Sequence, residues 1–136
     1  MRVFKFGGAS VKDAEGIKNV YDVLQKVGYE DVLLVVSAMG KTTNALEEVI
    51  KNYFEKSEEL NSSVQEVKKY HNQILLDLFE DEKNEVFAAV NSLFSELEYF
   101  LAHNKSPNYN FVYDQIVSFG ELISTTILSH FMNFMG

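Results

Sequence analysis

Apolar positions along the chain alternate between strand-like runs and helical stripes. Residues 2–6, Arg-Val-Phe-Lys-Phe, are rich in strand formers and stop at Gly7-Gly8, a pair that permits positive φ and close backbone approach. Ser10 with Asp13 three residues later makes a short capping pattern, and behind it Ile17, Val20, Tyr21, Leu24 and Val27 recur at helical spacing before Gly28. The spacing predicts an amphipathic helix of about four to five turns. Residues 31–36, Asp-Val-Leu-Leu-Val-Val, form a continuous apolar run of the kind buried on both faces of a parallel sheet. A strand, a helix and a strand in succession cross over right-handed into parallel neighbours. The carboxyl ends of the two strands are therefore expected on one edge.

A loop of small and hydroxylated residues follows, from Ser37 to Asn44. Asn44 with Glu47 is suited to cap a helix whose apolar face is Leu46, Val49, Ile50, Tyr53 and Phe54. Two further helices carry Val64, Val67, Ile74, Leu75 and Leu78, then Val86, Val90, Leu93, Phe94, Leu97 and Leu101, and are expected to pair antiparallel around the acidic turn Glu80-Asp81-Glu82. A polar loop surrounds Pro107, the chain's single proline, and a last long helix is predicted between Tyr113 and Met135. The fold class is thus α/β, a βαβ unit followed by four helices. Two strands make a poor sheet when typical sheets hold about five or six. The chain is therefore expected to be the amino-terminal portion of a parallel-sheet domain, incomplete at its carboxyl end; a complete small α-rich domain is the alternative.

Composition narrows the classes. With 136 residues, 46% of them apolar, the chain can bury a core and is not disordered as a whole. Its 20 acidic and 12 basic residues give a formal charge of −8 with no basic stripe, so no nucleic-acid partner is expected. The absence of cysteine excludes disulfide scaffolds, thiolate zinc sites and cysteine nucleophiles. Lys5 and the glycine pair interrupt the apolar start, unlike a secretory leader, and a cytoplasmic protein is expected. Residues 116–135 are apolar, but Glu121, His130 and Asn133 without flanking basic residues argue against a membrane helix. His71 lies on an apolar helix face and His103 and His130 lie near helix ends, with no spacing for a shared metal; no metal ligand is assigned.

Three places carry candidate chemistry. At Lys5-Phe6-Gly7-Gly8-Ala9-Ser10 the glycines free backbone N–H groups, the following helix offers its positive end and Lys5 adds a full charge, a combination able to hold a phosphate. An ordinary edge-strand lysine beside a steric glycine turn fits the same residues. In the Ser37–Asn44 loop, Gly40-Lys41-Thr42 invites comparison with a Walker A loop, but Val35 stands where the earlier glycine is required. What survives is a polar loop at the end of a parallel strand, where ligands of open α/β sheets lie, although Ser37 and Thr43 also suit turn and cap bonds. Glu121 sits in a helix apolar on most sides, within a polar stripe of Ser118, Ser124 and Thr125, and no lysine or arginine follows Lys105. It is expected to be largely buried and to find a distant partner or a ligand; a solvated glutamate is the other reading.

Taken in series, these segments resemble one family. Lys5-Phe6-Gly7-Gly8-Ala9-Ser10-Val11 resembles the amino-terminal signature of aspartokinases, Val35-Val36-Ser37-Ala38-Met39-Gly40-Lys41-Thr42-Thr43-Asn44 their second-strand loop, and Ser118-Phe119-Gly120-Glu121-Leu122-Ile123-Ser124 their Ser-x-Gly-Glu helix. The resemblance implies the amino-terminal part of an amino acid kinase catalytic domain. It implies phosphoryl transfer from ATP with Mg2+ to the side-chain carboxylate of L-aspartate, giving 4-phospho-L-aspartate for lysine, threonine and methionine synthesis. By the same resemblance Lys5 and Ser37 are catalytic, Lys5, Gly7, Gly8 and Ser10 face the nucleotide phosphates, and Thr43 and Glu121 bind aspartate, Glu121 through its ammonium group. Ala9 stands where the family usually has threonine, and no role is assigned to it. Most of the adenine pocket, the arginine that clamps the substrate carboxylate and the ACT regulatory domains lie beyond Gly136 in such enzymes. The chain alone is expected to be inactive, and the full-length enzyme is expected to be a homo-oligomer. A kinase of glutamate or N-acetylglutamate, or a non-catalytic helical interaction module, are the alternatives.

Overall fold

The computed structural model describes residues 1–28 and 30–136. Strands β1 (Arg2–Phe6) and β2 (Val32–Val36) pair in parallel, in register from Arg2 against Val32 to Phe6 against Val36, and α1 (Ala14–Val27) forms the crossover. Four helices follow: α2 (Thr42–Phe54), α3 (Leu60–Phe79), α4 (Glu85–His103) and α5 (Tyr109–Met135). The predicted order holds, and the differences lie at the caps and on one face of the sheet.

Between β1 and α1 the chain makes one 3-10 turn, Gly8–Val11, and α1 is capped by Asp13 rather than Ser10, its carboxylate accepting from the Gly16 N–H at 2.8 Å. Gly28, at φ +84°, closes α1 by donating to the Leu24 carbonyl at 2.9 Å, a backbone angle that favours glycine. α2 begins at Thr42, so Asn44 lies inside the helix and not at its cap. α5 starts four residues before Tyr113 because the Asn108 side chain accepts from the Phe111 N–H at 3.0 Å.

α3 and α4 run antiparallel about the 80–84 turn: Lys68 pairs with Glu98, and the His71 and Phe94 rings lie 5.9 Å apart. α5 supplies the longest buried stripe, Val112, Ile116, Ile123, Ile127 and Phe131. Phe131 meets Tyr21 of α1 and Phe79 of α3 edge-on at 6.1 and 6.0 Å. Truncating so buried an aromatic typically costs about 3–5 kcal/mol. No described helix is long and apolar enough to cross a membrane.

The sheet corrects one expectation. α1 and α5 cover a single face of it, toward which Phe4, Phe6 and Leu34 turn. On the other face Val3, Leu33 and Val35 are 53, 50 and 42% exposed, with Lys5 among them. β2 is therefore not buried on both faces among the described residues. Its side chains alternate, as they must in a strand, and only the inward set has a helix to pack on.

Candidate active site

Two loops leave the carboxyl ends of the parallel strands side by side. The Ser37 N–H donates to the Phe6 carbonyl at 3.0 Å, and the Gly40 N–H donates to the Gly8 carbonyl at 3.0 Å, so the strand pairing continues into the loops. A Cβ on Gly8 would lie 2.8 Å from the Gly40 carbonyl oxygen and 3.0 Å from that of Ala38, so only glycine fits this approach. Gly7 differs: a Cβ there would meet nothing within 4 Å. The N–H groups of Gly7 and Gly8 have no acceptor among the described residues, which leaves backbone donors free at the strand end.

α5 closes the other side of the second loop. The Ser124 hydroxyl donates to the Ser37 carbonyl at 2.6 Å, and a Cβ on Gly120 would press on the Ala38 Cβ at 2.9 Å and the Leu46 Cδ1 at 3.2 Å. Glu121 lies on the helix between these two contacts, one turn from Ser124.

α3 supports both loops from beneath with two adjacent residues. The Tyr70 hydroxyl donates to the Lys12 carbonyl just after the first loop and also packs against Gly40, whose φ of +53° suits glycine. Burial first, and the Asp13 carboxylate second, push the Tyr70 phenol up from its ordinary pKa, so it keeps the proton it donates. His71 and Thr42 are fully buried, with the Thr42 Oγ1 and His71 Nε2 3.4 Å apart and the Thr42 hydroxyl donating to the Met39 carbonyl.

Three stretches far apart in sequence thus converge: residues 5–10, residues 37–43 and residues 120–124. The profile of the amino acid kinase family matches residues 1–136, the whole chain. The chain belongs to the amino acid kinase family. Over 98% of its length this amino acid kinase chain is 33% identical to aspartokinase 1, chloroplastic, of Arabidopsis thaliana, and it spans 24% of that relative. Over 99% of its length it is 27% identical to bifunctional aspartokinase/homoserine dehydrogenase 2 of Escherichia coli K12, spanning 16% of it. Among solved structures, E. coli aspartokinase III in complex with lysine and aspartate is 25% identical with a TM-score of 0.78, over 98% of this chain and 29% of that one. The chain therefore covers 16 to 29% of the length of these three proteins.

Within this amino acid kinase chain, Lys5, Gly7, Gly8 and Ser10 share the first loop and strand end, Ser37 opens the second loop, Thr43 stands in the first turn of α2 that ends it, and Glu121 stands on the helix that packs against Ala38 and Ser37. Two details correct the sequence reading. Glu121 is exposed, because α5 packs α2 and α4 with its Ile116, Ile123 and Ile127 side while Ser118, Glu121, Leu122 and Thr125 face outward. Its partner is not a core cation, and among the described residues no ion pair reaches it. The second correction concerns the positive helix end: α1 starts at Ala14, and its first turn is already taken by the Asp13 carboxylate. An anion beside Gly7 would therefore draw on Lys5 and backbone N–H groups, not on that helix.

Sequence reasoning missed Thr42, Tyr70 and the anchoring part of Ser124. One signal was present: His71 interrupts an otherwise apolar stripe of Val64, Val67, Ile74 and Leu78, and a polar group there needs a partner from outside its helix.

Proposed function

We propose that the protein bearing this chain transfers a phosphoryl group from ATP to the side-chain carboxylate of L-aspartate, giving 4-phospho-L-aspartate in the synthesis of lysine, threonine and methionine. One observation carries the reading: Lys5 with Gly7-Gly8, the Ser37–Thr43 loop and the Gly120–Ser124 turn of α5 meet at one sheet edge, in a chain similar along its length to aspartokinases. An aspartate carboxylate, with an ordinary pKa of about 3.9, is already an anion at neutral pH, so little acid–base help is required. The barrier is repulsion between that anion and the polyphosphate, which positioning and neutralisation must overcome.

In this reading ATP supplies the phosphoryl group. Lys5 contributes positive charge that matters most as charge builds on the transferred group, and Gly7, Gly8 and Ser10 offer donors to its oxygens. Ser37 borders the reacting centre, Thr43 contacts aspartate, and Glu121 pairs with the aspartate ammonium. Exposure of Glu121 supports that role, since a carboxylate reserved for a ligand stays free of structural cations. Magnesium accompanies the nucleotide in this chemistry, but among the described residues no three acidic or histidine side chains are grouped to hold it, so no step here runs through the metal. The same reading takes the whole enzyme to be a cytoplasmic homo-oligomer acting on neither nucleic acid nor membrane.

The test is ADP release by the whole purified protein with L-aspartate, L-glutamate or N-acetyl-L-glutamate, with hydroxylamine trapping of the acyl phosphate. Aspartate-dependent ADP release and an aspartyl hydroxamate are expected; activity with glutamate or its N-acetyl derivative in place of aspartate would overturn the assignment. The 136-residue chain alone is expected to show no aspartate-dependent turnover, its sheet being open on one face; turnover by that chain would contradict this.

A further inference from the structure

We propose that His71 is a positioning residue for this phosphoryl transfer: from α3 it sets the Ser37–Thr43 loop through the Thr42 hydroxyl, and so fixes where Ser37 and Thr43 meet the substrate. The inference rests on the function proposed above and deepens it.

The geometry begins with a buried polar pair in an apolar setting. His71 is 0% exposed and Thr42 2%, and His71 is flanked by the Tyr70 and Phe94 rings at 5.1 and 5.9 Å. A leucine would fill this place in the α3 stripe more cheaply if packing were all that mattered. The imidazole instead has partners at both nitrogens. Nδ1 lies 2.9 Å from the Val67 carbonyl oxygen, which can only accept, so Nδ1 carries a hydrogen. In the neutral ring Nε2 is then an acceptor, 3.4 Å from the Thr42 Oγ1. The single Thr42 hydroxyl hydrogen is shared between that nitrogen and the Met39 carbonyl, two residues beyond Ser37. Burial holds the His71 pKa below its ordinary 6.5, against the opposing bond to Val67, and keeps the ring neutral.

Thr42 is also the residue at which the loop becomes α2, with Thr43 next in the chain. Its hydroxyl therefore fastens the carboxyl end of the loop, as Ser124 fastens its start at Ser37, while the Gly40 bond to Gly8 passes the placement on to the first loop. No buried side-chain nitrogen or oxygen among the described residues lacks a partner; removing the Thr42 hydroxyl takes away the partner of His71 Nε2, whereas removing His71 leaves the Thr42 hydroxyl to the Met39 carbonyl alone. Tyr70, the adjacent residue, performs a parallel task at Lys12.

Four variants of the whole protein test this. Thr42→Val keeps the shape and loses the hydroxyl; Thr42→Ser keeps the hydroxyl. His71→Asn retains an amide near the Nδ1 position, whereas His71→Gln carries one to the Nε2 position. Thr42→Val and His71→Asn are expected to raise the KM for aspartate about three- to tenfold, the worth of one net hydrogen bond, with the KM for ATP unchanged. Thr42→Ser and His71→Gln should recover most of the loss. If all four lower the melting temperature while the aspartate KM stays at the wild-type value, His71 is a core residue only and the inference fails. Should His71→Asn not fold, the two Thr42 variants read the same link. Wild-type protein without aspartate-dependent turnover would overturn the functional reading and this inference together, whereas wild-type turnover with a Glu121→Gln effect and no Thr42 effect would overturn this inference alone.

Discussion

The Ser124 hydroxyl on α5 donates to the Ser37 carbonyl at 2.6 Å, joining residues 87 apart in sequence. That bond, with the close packing of Gly120 on Ala38, ties the loop after β2 to the helix that carries Glu121 and so holds the two halves of the proposed aspartate site together. Ser124→Ala should lower stability by about 0.5–1.5 kcal/mol, the net value of a typical intramolecular hydrogen bond, and should raise the KM for aspartate. Thermal melts and steady-state kinetics on the same variant check both; an aspartate KM equal to wild type would mean the contact serves the fold alone.

The two adjacent glycines should respond unequally to a methyl group. Gly7 is in extended backbone at φ −79° with open space around it, whereas Gly8 faces the Gly40 and Ala38 carbonyls. Gly8→Ala is expected to destabilise by about 1–3 kcal/mol through overpacking, and Gly7→Ala to leave the melting temperature close to wild type. Equal melting temperatures for the two variants would contradict the close approach of the loops.

Lys5→Ala in the whole protein should lower kcat far more than it raises the KM for aspartate, because its charge acts mainly on the transition state. As Lys5 is exposed and in no ion pair among the described residues, stability should hold. An unchanged kcat would make Lys5 a plain strand residue.

Glu121→Gln removes a charge but keeps size and hydrogen-bonding capacity. Losing one charge-assisted contact should weaken aspartate binding by about 1.5–3 kcal/mol, roughly ten- to a hundredfold, with the KM for ATP constant. The melting temperature should not move, since Glu121 is exposed and makes no structural ion pair among the described residues. A destabilised enzyme with a normal aspartate KM would defeat the assignment.

His71 links stability to pH. Its folded pKa lies below the unfolded value of 6.5, owing to burial and not to a neighbouring charge. Between those two values the unfolded chain binds more protons, so this contribution is full above 6.5 and is lost as pH falls through the folded pKa. Wild-type melting temperature should drop on acidification from neutral pH to pH 5, and His71→Gln should drop less. Identical pH profiles for the two proteins would show that His71 carries no such linkage.

What the sequence determined by itself is the local order of the chain. The strand-forming runs at 2–6 and 31–36, the glycine stops and the helical stripes of 14–27, 60–79 and 85–103 each depend on near neighbours, so the elements and their parallel pairing were legible. Caps were legible only in part, because Ser10 and Asp13 both suit a helix start and the 3-10 turn decided for Asp13. The candidate residues Lys5, Gly7, Gly8, Ser37, Thr43 and Glu121 were visible as motifs. Their meeting at one edge was visible only for the two strand ends. Tertiary packing alone decided that Glu121 faces outward, that one sheet face stays uncovered, and that Ser124, Thr42 and His71 hold the second loop. A helix with hydrophobes on most sides does not announce which side its neighbours will take. A hydroxyl's partner, 29 or 87 residues away, is chosen by how α3 and α5 pack and leaves no period in the sequence.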